Sequence, residues 1–206
     1  MVVIGLTGGI GTGKSTVSRV LAGLGAVIID AALLGHEVYK PTNPAWESLT
    51  RIFGSDILLP DNQIDRQKLG NIVFNDRAAM AKLNAVMRPE IRIVLIERLE
   101  KALDQGEKVA VLDSATLIDA GWTALTDEVW LVMAPKNMII ERLRERDGLS
   151  DEAISARLAS QLSNEEQLIH VDQLIENNGT LTELTTAVKE LWTKRIETKV
   201  SNDGAT

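Results

Sequence analysis

Residues 8–15 read Gly8-Gly9-Ile10-Gly11-Thr12-Gly13-Lys14-Ser15, a match to G-x-x-x-x-G-K-[ST] that constrains the fold more than any other stretch. Backbone N–H groups can wrap a phosphate closely where no Cβ intrudes, and Lys14 would set a compact charge on the β- and γ-phosphates. The Ser15 hydroxyl would ligate Mg²⁺, and the helix that follows aims its positive end at the anion. The flanks supply the required context. Val2 to Thr7 is a short apolar run suited to a buried parallel strand, and Ser15 to Leu24 carries Val17, Val20, Leu21 and Leu24 at helical spacing. Gly9, Ile10, Gly11, Thr12, Gly13, Lys14, Ser15 and Thr16 are therefore the expected phosphate-binding residues, in a strand–loop–helix unit.

Composition narrows what can surround that unit. The chain has 206 residues, enough for one domain with insertions or two small ones, and 45% hydrophobic residues, enough for a substantial core. A net charge of −7, from 29 acidic and 22 basic residues, argues against a general nucleic-acid surface. With no cysteine there is no disulfide framework or thiolate chemistry. His36 and His170 lie far apart and read as ordinary surface or half-buried residues. No basic leader precedes the first strand, and no apolar run reaches the ~18 residues of a membrane helix. A soluble cytoplasmic protein with no obligate protein partner is the expectation.

Further along, Gly25 to Asp30, Lys108 to Asp113, Asp127 to Met133 and Val171 to Asn177 read as four more strands. Between them, helical patterns start in Pro41–Arg51, at Asp65 as N-cap, and over Asp76 to about Asp104, where Arg88-Pro89 should break or kink the helix. Others run over Pro135–Arg146, from a Ser150 cap to about Asn164, and over Leu181 to about Thr198; Pro60-Asp61-Asn62 reads as a turn and Ser201 to Thr206 as a frayed tail. Alternating strands and helices predict an α/β fold, a mostly parallel five-stranded sheet with helices on both faces. Ligands bind such sheets at the carboxyl ends of the strands. The Gly-rich loop, Asp30 and Asp113 all fall on that rim.

Asp113 closes an apolar run, the context of the second acidic motif of phosphate-loop proteins, where it would hold Mg²⁺ opposite Ser15. Arg142 and Arg146 are four apart and share a helix face. They either neutralise charge on a transferring phosphoryl group or sit on a solvated helix with Glu141, Arg144, Glu145 and Asp147 as ion-pair neighbours. Lys82, Arg88, Arg92 and Arg98 either receive an anionic second substrate or form a solvated face. Trp46, Trp122, Trp130 and Trp192 read as core. No Asn-Lys-x-Asp guanine pattern, transporter signature or long coiled segment is present, so GTPases, transporters and motors are disfavoured. A phosphotransferase for a small molecule remains. Residues about 1–30, 106–135 and 168–200 would form the core, about 31–105 a helical acceptor-binding insertion, and about 136–167 a lid.

The segment Ile4 to Thr16 closely resembles the opening of dephospho-coenzyme A kinases. The likeness continues in order through Leu24-Gly25-Ala26, Ile29-Asp30, Phe53-Gly54, Asp65-Arg66 with Leu69, Phe74 and Leu83-Asn84. It resumes at Asp113, Leu117, Ala120-Gly121, Arg142 and Arg146 with Asp147, Arg157 with Gln161, and Asp172 to Gly179. The resemblance implies a P-loop kinase fold and transfer of the ATP γ-phosphate to the ribose 3′-hydroxyl of dephospho-CoA. It also implies Lys14, Arg142 and Arg146 as catalytic groups, Asn177 near the nucleotide, and Asp30, Asp65, Arg66, Leu83 and Arg88 on the acceptor. Three positions depart from the family pattern. Asp30-Ala31-Ala32 replaces Asp-Ala-Asp, so the carboxylate expected to act as base is Ala32 here. Arg88-Pro89 replaces His-Pro, and Ala115 to Asp119 replaces Pro-Leu-Leu-Phe-Glu. A positioned base contributes roughly 10²- to 10⁴-fold, so slow turnover is expected. The alternatives are a kinase for another small hydroxyl or nucleoside monophosphate, and a non-catalytic nucleotide- or CoA-binding module.

Overall fold

The computed structural model describes residues 1–199; the expected tail, Ser201 to Thr206, lies outside the described residues. The five apolar runs form strands β1 (Val2–Thr7), β2 (Val27–Asp30), β3 (Val109–Asp113), β4 (Glu128–Met133) and β5 (Gln173–Glu176). They make an all-parallel sheet in the order β2-β3-β1-β4-β5. Helices α1 (Lys14–Gly23), α2 (Ala31–Val38), α3 (Pro44–Phe53), α4 (Arg66–Asn75) and α5 (Arg77–Asp104) occupy the first half. Helices α6 (Lys136–Asp147), α7 (Asp151–Ala159), α8 (Asn164–Leu168) and α9 (Leu181–Trp192) follow, and α9 runs into a π-type turn, Thr193–Glu197.

Strand order explains where a ligand can sit. The chain leaving β1 goes to β2, and the chain leaving β3 goes to β4, on the far side of β1. Neighbouring strands thus send their connections in opposite directions, which opens a crevice at the carboxyl ends of β1 and β3. Period-two alternation then sorts the side chains. Val2, Ile4 and Leu6 of β1, Val109 and Val111 of β3, and Trp130 and Val132 of β4 share a core with α1 and α9. Val17 and Leu21, four apart on α1, are fully buried there, each contributing about 2 kcal/mol.

The chain divides into two compact units: Met1–Ile29 with the chain from Leu99 onward, and Asp30–Arg98. The second is helical, built on Val38, Leu49, Ile57, Ile64, Leu69, Val73 and Met87. An isolated bridge, Leu58 to Ile64, leads into Asp65, whose carboxylate accepts from Gln67 N at 3.1 Å and Lys68 N at 3.0 Å to cap α4. The Trp46 Nε1–H donates to Asn62 O at 2.8 Å, while Trp122, Trp130 and Trp192 are buried.

Three expectations need correction. Helix α5 runs unbroken through Pro89 from Arg77 to Asp104, so the expected break at Arg88-Pro89 does not occur. The ring removes one N–H, but Met80, Leu83 and Val86 before it and Ile91 and Val94 after it all pack on the helical core and hold both halves in register. Helix α2 adds to the elements expected from the sequence: the strand ends at Asp30, and Ala31 and Ala32 begin a helix capped by Asp30. Helix α7 ends at Ala159 rather than near Asn164, because Ser163 and Glu166 form a capping box that starts α8. The final helix reaches its expected end near Thr198, with the winding changing from α-type to π-type after Trp192.

At the amino ends of the strands, carboxylates supply the missing acceptors. Asp127 Oδ2 takes Val3 N–H at 2.7 Å and Asp172 Oδ2 takes Val129 N–H at 2.8 Å. Glu128 is 2% exposed and accepts from Trp130 Nε1 at 3.1 Å, from Arg195 Nη2 at 2.9 Å and from Lys199 Nζ. Burial raises its pKa, but the hydrogen bonds from Arg195, Lys199 and Trp130 outweigh burial and hold the carboxyl below the usual range. A depressed folded-state pKa gives stability that is complete above the ordinary carboxylate value and is lost as pH falls through the depressed one. Glu128→Gln should cost on the order of 2 kcal/mol near neutrality and flatten the acid limb of the wild-type stability curve below about pH 4.5, as measured by urea unfolding between pH 3 and 7, roughly the range over which carboxylates titrate.

Candidate active site

The Gly-rich loop joins β1 to α1 without any side-chain cap. Gly13, at φ +97°, is the N-cap, and the first turn of α1 holds no acidic residue. By contrast the side chains of Asp30, Asp65, Ser150, Ser163 and Thr180 cap α2, α4, α7, α8 and α9. First-turn amides have no intrahelical acceptors, so α1 presents donors and the positive end of its dipole to an external anion. Gly13 meets two demands: its φ lies in the left-handed region, and a Cβ there would run into Asn177 Nδ2.

Side chains from three separate segments hold three of the loop's peptide groups. Asn177, after β5 and 6% exposed, donates from Nδ2 to Thr12 O at 2.8 Å. Arg142 of α6 donates from Nη1 to Gly11 O at 3.2 Å. Gln161, between α7 and α8, accepts the Ile10 N–H on Oε1 at 3.3 Å. Thr12 closes the loop internally, giving its hydroxyl to Gly9 O at 2.8 Å. A trans peptide is planar, with N–H and C=O pointing opposite ways. Asn177, by taking the Thr12 carbonyl, therefore turns the Gly13 N–H the other way.

Lys14 pairs through Nζ with Asp113 Oδ1 at the end of β3, where the carboxylate side chain is 7% exposed. The Gly-rich loop and the acidic strand end thus meet as the sequence placed them. Arg142 and Arg146 separate: Arg142 is on the loop, whereas Arg146 donates to Asp147 through Nε and Nη2, both at 2.8 Å. The Arg146 hydrogen bond holds the exposed Asp147 carboxyl below its usual range. Arg144 ties α6 to Asp151 of α7 at 2.7 and 2.8 Å. A cavity of ≈ 770 Å³ is lined by residues 8–11 and 13–16 of the loop together with Arg142, Arg146, Gln161 and Asn177. That volume is in the range of small-ligand sites.

In the helical unit, Asp30 Oδ1 accepts from Ala32 N at 2.8 Å and Leu33 N at 3.3 Å, so its carboxylate is committed to capping α2. Ala32 is exposed in the first turn of α2. Asp65 caps α4, Arg66 is exposed beside it, Leu83 packs half-buried on the helical core, and Arg88 is half-buried on α5. Arg98 pairs with Glu37 at 2.7 Å. His36 and His170 are exposed. Sequence reasoning missed the contact of Gln161 with the loop: a glutamine in a polar stretch carries no spacing signal, and only the chain path brings it 151 positions back to Ile10.

Comparison with known proteins agrees with this geometry. The model of the dephospho-CoA kinase family matches residues 2–183. The dephospho-CoA kinase of Geobacter sulfurreducens is 46% identical over 196 residues, covering 95% of this chain and 100% of that protein. The Dehalococcoides mccartyi dephospho-CoA kinase is 39% identical over 96% of this chain and 99% of its own. Among solved structures, one from Thermus thermophilus superposes with a TM-score of 0.79 at 31% identity, covering 94% of this chain and 97% of that one. The Campylobacter jejuni dephospho-CoA kinase superposes at 0.70 with 26% identity, covering 96% and 98%. The phosphate loop, the acidic strand end and the near-complete match together establish that this chain belongs to the dephospho-CoA kinase family of ATP-dependent phosphotransferases.

Proposed function

We propose that the chain binds ATP in the cavity around the Gly-rich loop and transfers the γ-phosphate to the ribose 3′-hydroxyl of dephospho-CoA in the cytoplasm. The observation that carries this reading is the loop itself, uncapped at α1 and held from outside by Arg142, Gln161 and Asn177. Donors fixed in advance need no reorganisation when charge develops, which is the main source of phosphoryl-transfer catalysis. On this reading residues 9–16 cradle the phosphates, Lys14 exchanges Asp113 for phosphate oxygens, and Arg146 exchanges Asp147 for the same negative charge. Asn177 acts at least through the loop, by the hydrogen bond from its Nδ2 to Thr12 O.

A divalent cation fits the donor set. The Ser15 hydroxyl and the Asp113 carboxylate are hard oxygens at the loop and at the neighbouring strand end, and Mg²⁺ is usually held by one or two such groups with waters and phosphate oxygens. When bound, it would offset negative charge on the phosphate groups. The helical unit, about 31–105, is assigned to the acceptor, through Asp30, Asp65, Arg66, Leu83 and Arg88. The segment about 136–167 is assigned as a lid. Among the described residues no helix is long and apolar enough to cross a membrane.

Ala32 sets the expected rate. Its methyl supplies no base, and the Asp30 carboxylate, which caps α2 through Oδ1, stands two residues earlier in the chain, so turnover is slow on this reading. This favours a second reading, a binding module that has lost activity. Ala32→Asp should fold, because the site is exposed and a carboxylate in a first helical turn is favourable.

Release of ADP from Mg-ATP is expected to depend on dephospho-CoA, and Ala32→Asp should raise kcat by at least about tenfold. No change on restoring the carboxylate would remove the base assignment, and silence from both proteins with ATP still bound would establish the binding module. Lys14→Met should lower kcat on the order of 10²-fold and should also lower the thermal midpoint, because it leaves the buried Asp113 carboxylate without its cation.

A further inference from the structure

Gln161 has so far been given one contact, with the Ile10 N–H of the loop, and its surroundings give it more. Its Oε1 accepts the Ile10 N–H at 3.3 Å, and the other end of that same peptide, Gly9 O, accepts from Thr12 Oγ1 at 2.8 Å and Thr12 N at 3.3 Å. The Gly9–Ile10 peptide is therefore gripped at both of its polar ends, which fixes its plane. Gly9 is what allows the approach: a Cβ there would lie 2.6 Å from Gln161 Oε1, inside contact distance. A second cavity of ≈ 760 Å³, under α6, α7 and α8, shares Gly9, Ile10 and Gln161 with the phosphate cavity. Gln161 is thus part of the wall between the two, and its segment follows α7, which Arg144 ties to α6 through Asp151.

We propose that Gln161 is a positioning residue that sets the mouth of the phosphate loop and couples it to the α6–α8 segment. The assignment rests on the ATP reading above. It gives each support of the loop its own peptide group. Asn177 and Arg142 set the carbonyls of residues 12 and 11, and Gln161 sets the peptide at which the loop opens. The amide side chain suits this because it accepts from Ile10 N–H without adding negative charge to a wall that must face phosphate.

The test uses full-length protein, with ATP and with inorganic tripolyphosphate, which reports on the phosphate cradle without the base. Gln161→Leu should weaken both by about tenfold, the worth of an ordinary hydrogen bond that orders a site, with the thermal midpoint unchanged. Gly9→Ala should reproduce that loss, since its methyl displaces only the flexible end of Gln161, and the double variant should be no worse than either single one. Gln161→Glu keeps the acceptor: it should bind tripolyphosphate as wild type does at low pH and lose affinity, relative to wild type, as the carboxyl ionises. A pH-independent deficit equal to that of Gln161→Leu, or wild-type affinity in Gln161→Leu and Gly9→Ala, overturns the assignment. Failure of the wild-type chain to bind ATP overturns the nucleotide reading, and this one with it.

Discussion

The orientation of a few planar peptide groups between Gly9 and Gly13 is the constraint on which the site depends. A loop rich in glycine is conformationally costly to order, and nothing in its own side chains, Thr12 apart, restrains it. Restraint comes from Asn177 after β5, Arg142 on α6 and Gln161 beyond α7. Each is placed by an element whose own packing is secure: α9 and β5 belong to the main core, and Ile139, Leu143 and Ile154 bury α6 and α7 together. The loop is thus held by chain 131 to 165 positions away.

The sheet is polarised by the same logic. At the carboxyl ends, uncapped amides and Lys14 gather positive potential, balanced by Asp113. At the amino ends, Asp127, Asp172 and Glu128 take up strand N–H groups and two cations. At the amino ends carboxylates serve as backbone acceptors, whereas around the Gly-rich loop Asp113 and Asp147 are each paired with a cation, Lys14 and Arg146. A chain of net charge −7 can in this way hold a polyanion, because the field that matters is local and the backbone supplies much of it.

The sheet was readable because buried parallel strands are continuous apolar runs, and the phosphate loop because its chemistry admits few residue types. Periodicity failed where local capping decides the outcome. Asp30 looks like the end of a strand and is also an N-cap, which hides α2 and places Ala32 in a helical turn. Ser163 and Glu166 carry a legible capping box across the end of what periodicity reads as one helix. At Pro89 the cost of the missing N–H is offset by packing that the sequence does not display. The paired arginines show a deeper limit: spacing puts Arg142 and Arg146 on one face, but only tertiary structure distinguishes a guanidinium on a loop carbonyl from one on Asp147. Asn177 and Gln161 act across 165 and 151 positions, and no local pattern records such a contact.

The most direct measurement is backbone amide dynamics of residues 9–16 in the nucleotide-free protein, by ¹⁵N relaxation, in the wild type and in Asn177→Ala. A loop built by its external supports should be as ordered as the sheet without ligand, with order parameters near about 0.85, and should loosen selectively in Asn177→Ala while α1 stays ordered. A wild-type loop that is mobile until nucleotide is added, or one whose order is indifferent to Asn177, would contradict that picture.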